Sequence, residues 1–168
     1  MKDVSKIGLG GGCHWCTEAV FQSLIGVVKV EQGFIASEGE EDDFSEAVVV
    51  HFKVDEIFLK DLITIHLHTH ESSSNHSMRG KYRSAVYTFD AKQGLQASAI
   101  LTELKPDFNN KLVTKVYPFR KFKPSEEMFH DYFYSNPEKP FCKKHISPKL
   151  EVLLKKFSSK VDTGKIGG

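Results

Sequence analysis

Lys6-Ile7-Gly8-Leu9-Gly10-Gly11-Gly12-Cys13-His14-Trp15-Cys16 is the stretch from which the rest of the chain is read. Residues 6–10 make a short strand, and the glycines that follow let the backbone turn sharply into a helix over about 15–24, where Cys16, Val20 and Leu24 share one face. The glycine run thus ends in a cysteine at a helix start. Unpaired N–H groups and the partial positive charge of a helix N-terminus favour thiolate over thiol, so Cys13 is expected to be nucleophilic at neutral pH. Cys16, three residues on, lies on the same face and is placed to trap an oxidised Cys13.

Outward from this turn, Val28 and Val30 alternate with Lys29 and Glu31, a half-buried strand that runs to about residue 35 after the break at Gly26. The acidic segment 38–43 is a loop, and 47–52 is a third strand. Leu59, Leu62, Ile63 and His66 recur at helical spacing, and 84–89 is a fourth strand. A helix over 93–104, a strand over 113–119 and shorter helices over 125–135 and 148–157 complete the pattern. The order strand, helix, strand, strand, helix, strand predicts an α+β fold of the ferredoxin-like split βαβ kind, a two-layer plait, followed by C-terminal helices and an irregular C-terminal segment. Residues 1–157 are read as a single catalytic domain and 158–168, polar and glycine-rich with nothing to bury, as a flexible tail.

The composition narrows the function classes. With 168 residues, 40% hydrophobic and 27% charged, the chain is long enough for one well-buried core. Lys plus Arg number 23 against 22 for Asp plus Glu, and a net charge of +1 gives no polyelectrolyte attraction for nucleic acid or an anionic membrane. No apolar signal region opens the chain and no stretch is long enough to span a bilayer, so a cytoplasmic monomer is expected. Three cysteines are an odd set for a disulfide scaffold and suit catalytic thiol chemistry in a reducing compartment.

His66, His68 and His70 raise the question of a metal. On a helix, His66 and His70 share a face while His68 points elsewhere, and the helical reading of this segment argues against a site. A second reading of the cysteine turn remains open at this level, in which Cys13 and Cys16 with a distant histidine bind a metal such as zinc or sense oxidants.

Further along, the sequence resembles a known family, the type A peptide methionine sulfoxide reductases, which reduce methionine S-sulfoxide. Gly12-Cys13-His14-Trp15-Cys16 resembles the family's Gly-Cys-Phe-Trp-Gly. Ser45-Glu46-Ala47-Val48-Val49-Val50-His51-Phe52 resembles its His-Ala-Glu-Val-Val segment, and Lys81-Tyr82-Arg83-Ser84-Ala85 its Gln-Tyr-Arg-Ser segment. His130-Asp131-Tyr132, Asn136-Pro137 and Phe141-Cys142 follow in the family's order, so that the resemblance spans roughly residues 6–150.

The resemblance implies that Cys13 attacks the sulfur of free or peptide-bound methionine (S)-S-oxide while Glu46, its charged form penalised by burial, protonates the departing oxygen. It implies that Tyr82 adds a hydroxyl donor and that Trp15 walls the methyl group on sulfur. The product on Cys13 is a sulfenic acid, which condenses with a second thiol to a disulfide that a thioredoxin-like reductant, or dithiothreitol, reopens; no prosthetic cofactor or metal is implied. Cys142 occupies the family's resolving position, and Cys16 is a second candidate. Three substrate-pocket positions depart from the family: His14 replaces phenylalanine, Phe34 replaces a tyrosine, and Ser77 falls near the family's aspartate.

Overall fold

The computed structural model describes residues 3–39, 43–70, 72–74, 82–126, 130–136, 138–140, 142–162 and 165. Strand β1 (Val4–Gly10) enters helix α1 (His14–Gln22), followed by β2 (Val27–Ala36), β3 (Ser45–Lys53), α2 (Leu59–Thr69), β4 (Ala85–Thr88) and α3 (Ala91–Leu104). Two short strands, β5 (Lys115–Pro118) and β6 (Lys121–Pro124), precede α4 (Tyr132–Ser135), a π-helical turn (Cys142–Ile146) and α5 (Ser147–Phe157).

One six-stranded sheet has the order β5-β4-β1-β3-β2-β6. Its inner four strands are the split βαβ plait: the β1–α1–β2 crossover leaves a gap that β3 fills antiparallel to both neighbours, and β4 adds antiparallel to β1. β5 extends the sheet parallel to β4, and β6 closes the far edge antiparallel to β2.

The central strands are buried on both faces, which is why 47–50 reads as an unbroken apolar run. Ile7, Leu9, Val48 and Val50 point into the main core with Val20 and Phe21 of α1, Leu62 and Ile63 of α2 and Leu150 and Leu153 of α5. Ala47, Val49, Ala85, Ile35 and Tyr87 point the other way and are covered by Phe89, Tyr117, Phe119 and Phe122. Each fully buried aliphatic side chain of this kind contributes about 1.5–3 kcal/mol.

The structure departs from the expected elements in three places. The short strand β6, with Phe122 as its sole aromatic, was not expected; it forms because Gly33 to Ala36 of β2 offer a free edge that pairs with Lys121 to Pro124. The helix expected over 125–135 shrinks to α4, since Ser125 donates its N–H to Gln32 O at 3.1 Å and so prolongs the extended pairing. The segment after residue 157, expected to have nothing to bury, places Val161 at 4% exposure in a bridge to Leu24, and Lys165 Nζ donates to Leu24 O and Val27 O at 2.7 and 3.0 Å. Among the described residues no helix is long and apolar enough to cross a membrane.

Candidate active site

The site lies where β1 runs into α1. Gly11 has φ +151°, and a Cβ there would sit 2.5 Å from the His70 ring, so the turn admits glycine alone. His70 cannot retreat, because Nδ1 bonds to His66 O at 2.5 Å and Nε2 to Ser84 Oγ at 2.8 Å. His66 in turn donates Nε2–H to Gly10 O at 2.8 Å, and its ring lies tilted against that of His70 with centroids 4.2 Å apart. These two histidines brace the glycine turn from beneath. His68 points away, between Phe108 and Phe157.

The turn delivers Cys13 as the N-cap of α1, with the N–H groups of Cys16 and Thr17 closing on its carbonyl at 3.1 Å. The Cys13 thiol is held below its ordinary pKa, first by the Cys16 S–H that donates to it, against the opposing effect of burial, and then by the backbone N–H groups of Trp15 and Cys16. A charge on Glu46 works against it. Cys16 shows the converse: donation to Cys13, burial and the Cys13 charge all push its thiol up, so it stays protonated. The Cys16 S–H thus stands beside Cys13 as a donor that favours its thiolate.

Glu46, on β3 opposite Phe34 of β2, is buried at 6% exposure. Its Oε1 accepts the His14 N–H at 3.3 Å and lies 3.5 Å from His14 Nε2. Glu46 therefore sits against the residue that follows Cys13, at the mouth of α1. Arg83, next to Tyr82, donates its N–H to Ser45 Oγ at 2.8 Å, so Tyr82 enters β4 beside the Glu46 end of β3. Ser77 lies outside the described residues.

Trp15 stacks on Tyr132 with ring centroids 4.3 Å apart and planes 14° from parallel, forming an aromatic wall next to Cys13. His14 and Phe34 meet edge to face at 5.1 Å. A carboxyl that sequence reasoning passed over holds the wall in place. Glu18, 1% exposed on α1, accepts from Gln32 Nε2 and from the N–H groups of Asp131 and Tyr132 at 2.9, 3.0 and 3.1 Å. Burial raises its pKa while these donors oppose the rise. Glutamate inside the otherwise apolar run that ends in Ala19-Val20-Phe21 was the available signal.

Cys142 is fully buried in the π-helical turn, within the same core cluster as Cys16, and burial raises its thiol pKa. All three cysteines are free.

A model of the family described as peptide methionine sulfoxide reductase matches residues 5–161. The chain belongs to this family. It is 33% identical over 165 residues to the peptide methionine sulfoxide reductase MsrA of Thermus thermophilus, covering 90% of this chain and 94% of that one. The MsrA of Trichodesmium erythraeum is 32% identical over 174 residues, with 94% and 98% covered. Among solved structures, Mxr1 from Saccharomyces cerevisiae shares the fold at TM-score 0.72 in its reduced form, with 23% identity and coverage of 86% and 94%. In complex with Trx2 it matches at TM-score 0.61, with 22% identity and coverage of 76% and 86%.

Within this reductase fold, the metal reading of the cysteine turn lacks ligands. Among the described residues no three His, Cys, Asp or Glu side chains are grouped to hold a metal ion, and His66 and His70 bond to the backbone and to Ser84.

Proposed function

We propose that this chain reduces methionine (S)-S-oxide, free or in peptides, to methionine, with Cys13 as nucleophile and Glu46 as acid. The observation that carries the reading is Cys13 at the helix N-cap, its thiol pKa lowered by the Cys16 S–H and two backbone N–H groups, with the buried Glu46 carboxyl bonded to the next residue, His14. The thiolate attacks the sulfoxide sulfur while the oxygen takes the Glu46 proton, and the new S–S bond then breaks as that hydroxyl passes to the Cys13 sulfur and the electron pair returns to the methionine sulfur. The products are methionine and Cys13 sulfenic acid, with Glu46 left as carboxylate. A protonated Glu46 serves both partners, since a charge on it would add to burial in opposing the Cys13 thiolate.

Trp15, stacked on Tyr132, gives the methyl group on sulfur an apolar wall, and Tyr82 donates to the sulfoxide oxygen beside Glu46. Cys16, hydrogen-bonded to Cys13, is placed to condense first with the sulfenic acid, releasing water and forming a disulfide. Cys142, in the same cluster, then takes over the linkage by thiol–disulfide exchange and carries it toward the reductant. Two electrons from an external dithiol reopen the disulfide; Mxr1 in complex with Trx2 supports a thioredoxin in that role.

Turnover of separated S and R epimers of a methionine sulfoxide derivative by the fully reduced protein, with dithiothreitol, tests the reading. Reduction of the S epimer alone is expected. Equal reduction of both, or of neither by folded protein with free thiols, defeats it.

A further inference from the structure

His14 is an ionisable ring set directly between the nucleophile and the acid, and its geometry is tightly determined. It is 5% exposed, and its Nδ1 lies 2.8 Å from Gly33 O. A carbonyl oxygen can only accept, so Nδ1 carries the hydrogen. That leaves Nε2, on the far side of the ring, facing Glu46 Oε1 at 3.5 Å. Phe34 packs edge-on at 5.1 Å and fixes the ring plane. Glu46 on β3 lies against the ring, and Cys13, whose sulfur feels the Glu46 charge, precedes it in the chain. β2 presents the Gly33 carbonyl and the Phe34 ring.

This arrangement serves two protonation states with the same pair of atoms facing each other. When Glu46 is a carboxylic acid, neutral Nε2 accepts from it; when Glu46 is a carboxylate, an imidazolium Nε2–H donates to it. The 3.5 Å separation shortens to a hydrogen bond with a sub-ångström shift, as acid–base contacts commonly do once substrate is bound.

We propose that His14 is a positioning residue for the acid: its Nε2 faces the Glu46 carboxyl and hands that carboxyl a fresh proton after each turnover. The proposal rests on the function proposed above. Each reduction moves one proton from Glu46 to the sulfoxide oxygen, where it ends in the sulfenic acid O–H. The carboxylate left behind is buried and must be recharged from solvent. His14 takes a proton at Nε2 as imidazolium and passes it to Glu46, returning to neutral imidazole; the net change is one solvent proton consumed per sulfenic acid formed, which matches a thiolate nucleophile.

The test is the pH profile of the first step, read as methionine released in a single turnover by wild type and by His14→Phe, which keeps an aromatic ring against Phe34 and removes the proton. The ratio of wild-type to variant rate is expected to grow about tenfold between pH 6 and pH 8.5, the size of effect that coupling of about one pK unit produces. A ratio that stays constant across the range would mean that His14 only packs, and overturns the proposal. A second readout needs no turnover: the His14 ring is titrated by NMR in wild type and in Glu46→Gln. Proton affinity about tenfold lower in the variant is expected from the same coupling, and an unchanged midpoint overturns the pairing. Should wild type fail to reduce sulfoxide, the function fails while the titration still decides the pair.

Discussion

Replacing Cys16 by alanine isolates the interaction on which the nucleophile depends most. The Cys16 S–H is the largest of the effects that lower the Cys13 pKa, ahead of the backbone N–H groups of Trp15 and Cys16. A hydrogen bond to a charged group is worth about 1.5–3 kcal/mol, or about ten- to a hundredfold in the thiol–thiolate equilibrium. Cys13 is only partly buried, and water can replace part of the lost donor, so the lower end applies. The expected result is a Cys13 thiolate population about tenfold smaller near neutral pH in Cys16→Ala. Cys16→Ser, which retains an O–H donor, should recover most of it. The assay is the pH dependence of iodoacetamide alkylation at Cys13, read by mass spectrometry of the Cys13 peptide so that the other thiols do not interfere. The sign is definite: loss of the donor moves the alkylation midpoint to higher pH. An unmoved midpoint in Cys16→Ala, or an equal displacement in serine and alanine variants, would refute the assignment of Cys16 as donor.

Other predictions follow from single contacts. Glu46→Gln should slow sulfoxide reduction by about 10²- to 10⁴-fold, the usual contribution of a positioned acid, while Cys13 alkylation near neutral pH stays at least as fast as in wild type, because the opposing charge is gone. Gly11→Ala should lower stability by about 1–3 kcal/mol in urea unfolding, from its positive φ and the pinned His70 ring, whereas Gly12→Ala, with no atom within 4 Å of the added carbon, should leave the urea midpoint nearly unchanged. Glu18→Gln keeps one acceptor oxygen for three donors and should cost about 1–3 kcal/mol at pH 7; unseating Tyr132 from Trp15 should raise KM for the sulfoxide more than it lowers kcat. Because burial raises the Glu18 pKa in the folded state, the contribution of this group to wild-type stability is fully present below the unfolded carboxyl value and declines as pH rises through the folded one, which urea midpoints between pH 4 and 7 would register.

The plait and the cysteine turn were legible in the sequence for the same reason: both depend on short-range signals. Alternation in 27–36, the apolar run at 47–50 and the glycine turn before Cys13 each declare themselves within a few residues. Glu46 showed through as an acid beside an apolar run. What escaped is what the strand register creates. His14 and Glu46 are 32 positions apart and meet only after β3 pairs with β2, bringing Glu46 opposite Phe34. β6 has too little pattern of its own and exists because β2 offers it an edge. The histidines at 66 and 70 looked like a metal question from spacing alone; their partners, Gly10 O and Ser84 Oγ, lie in distant strand ends that the sequence does not connect to them.

The central claim, that Cys13 itself takes the oxygen from methionine sulfoxide, is tested most directly by a single turnover of the Cys16→Ser, Cys142→Ser double variant with the S epimer in the presence of dimedone, which traps sulfenic acid. The account predicts one methionine per chain and a dimedone adduct on the Cys13 peptide. Methionine formed without the adduct, or no methionine from folded protein with a free Cys13 thiol, would contradict it.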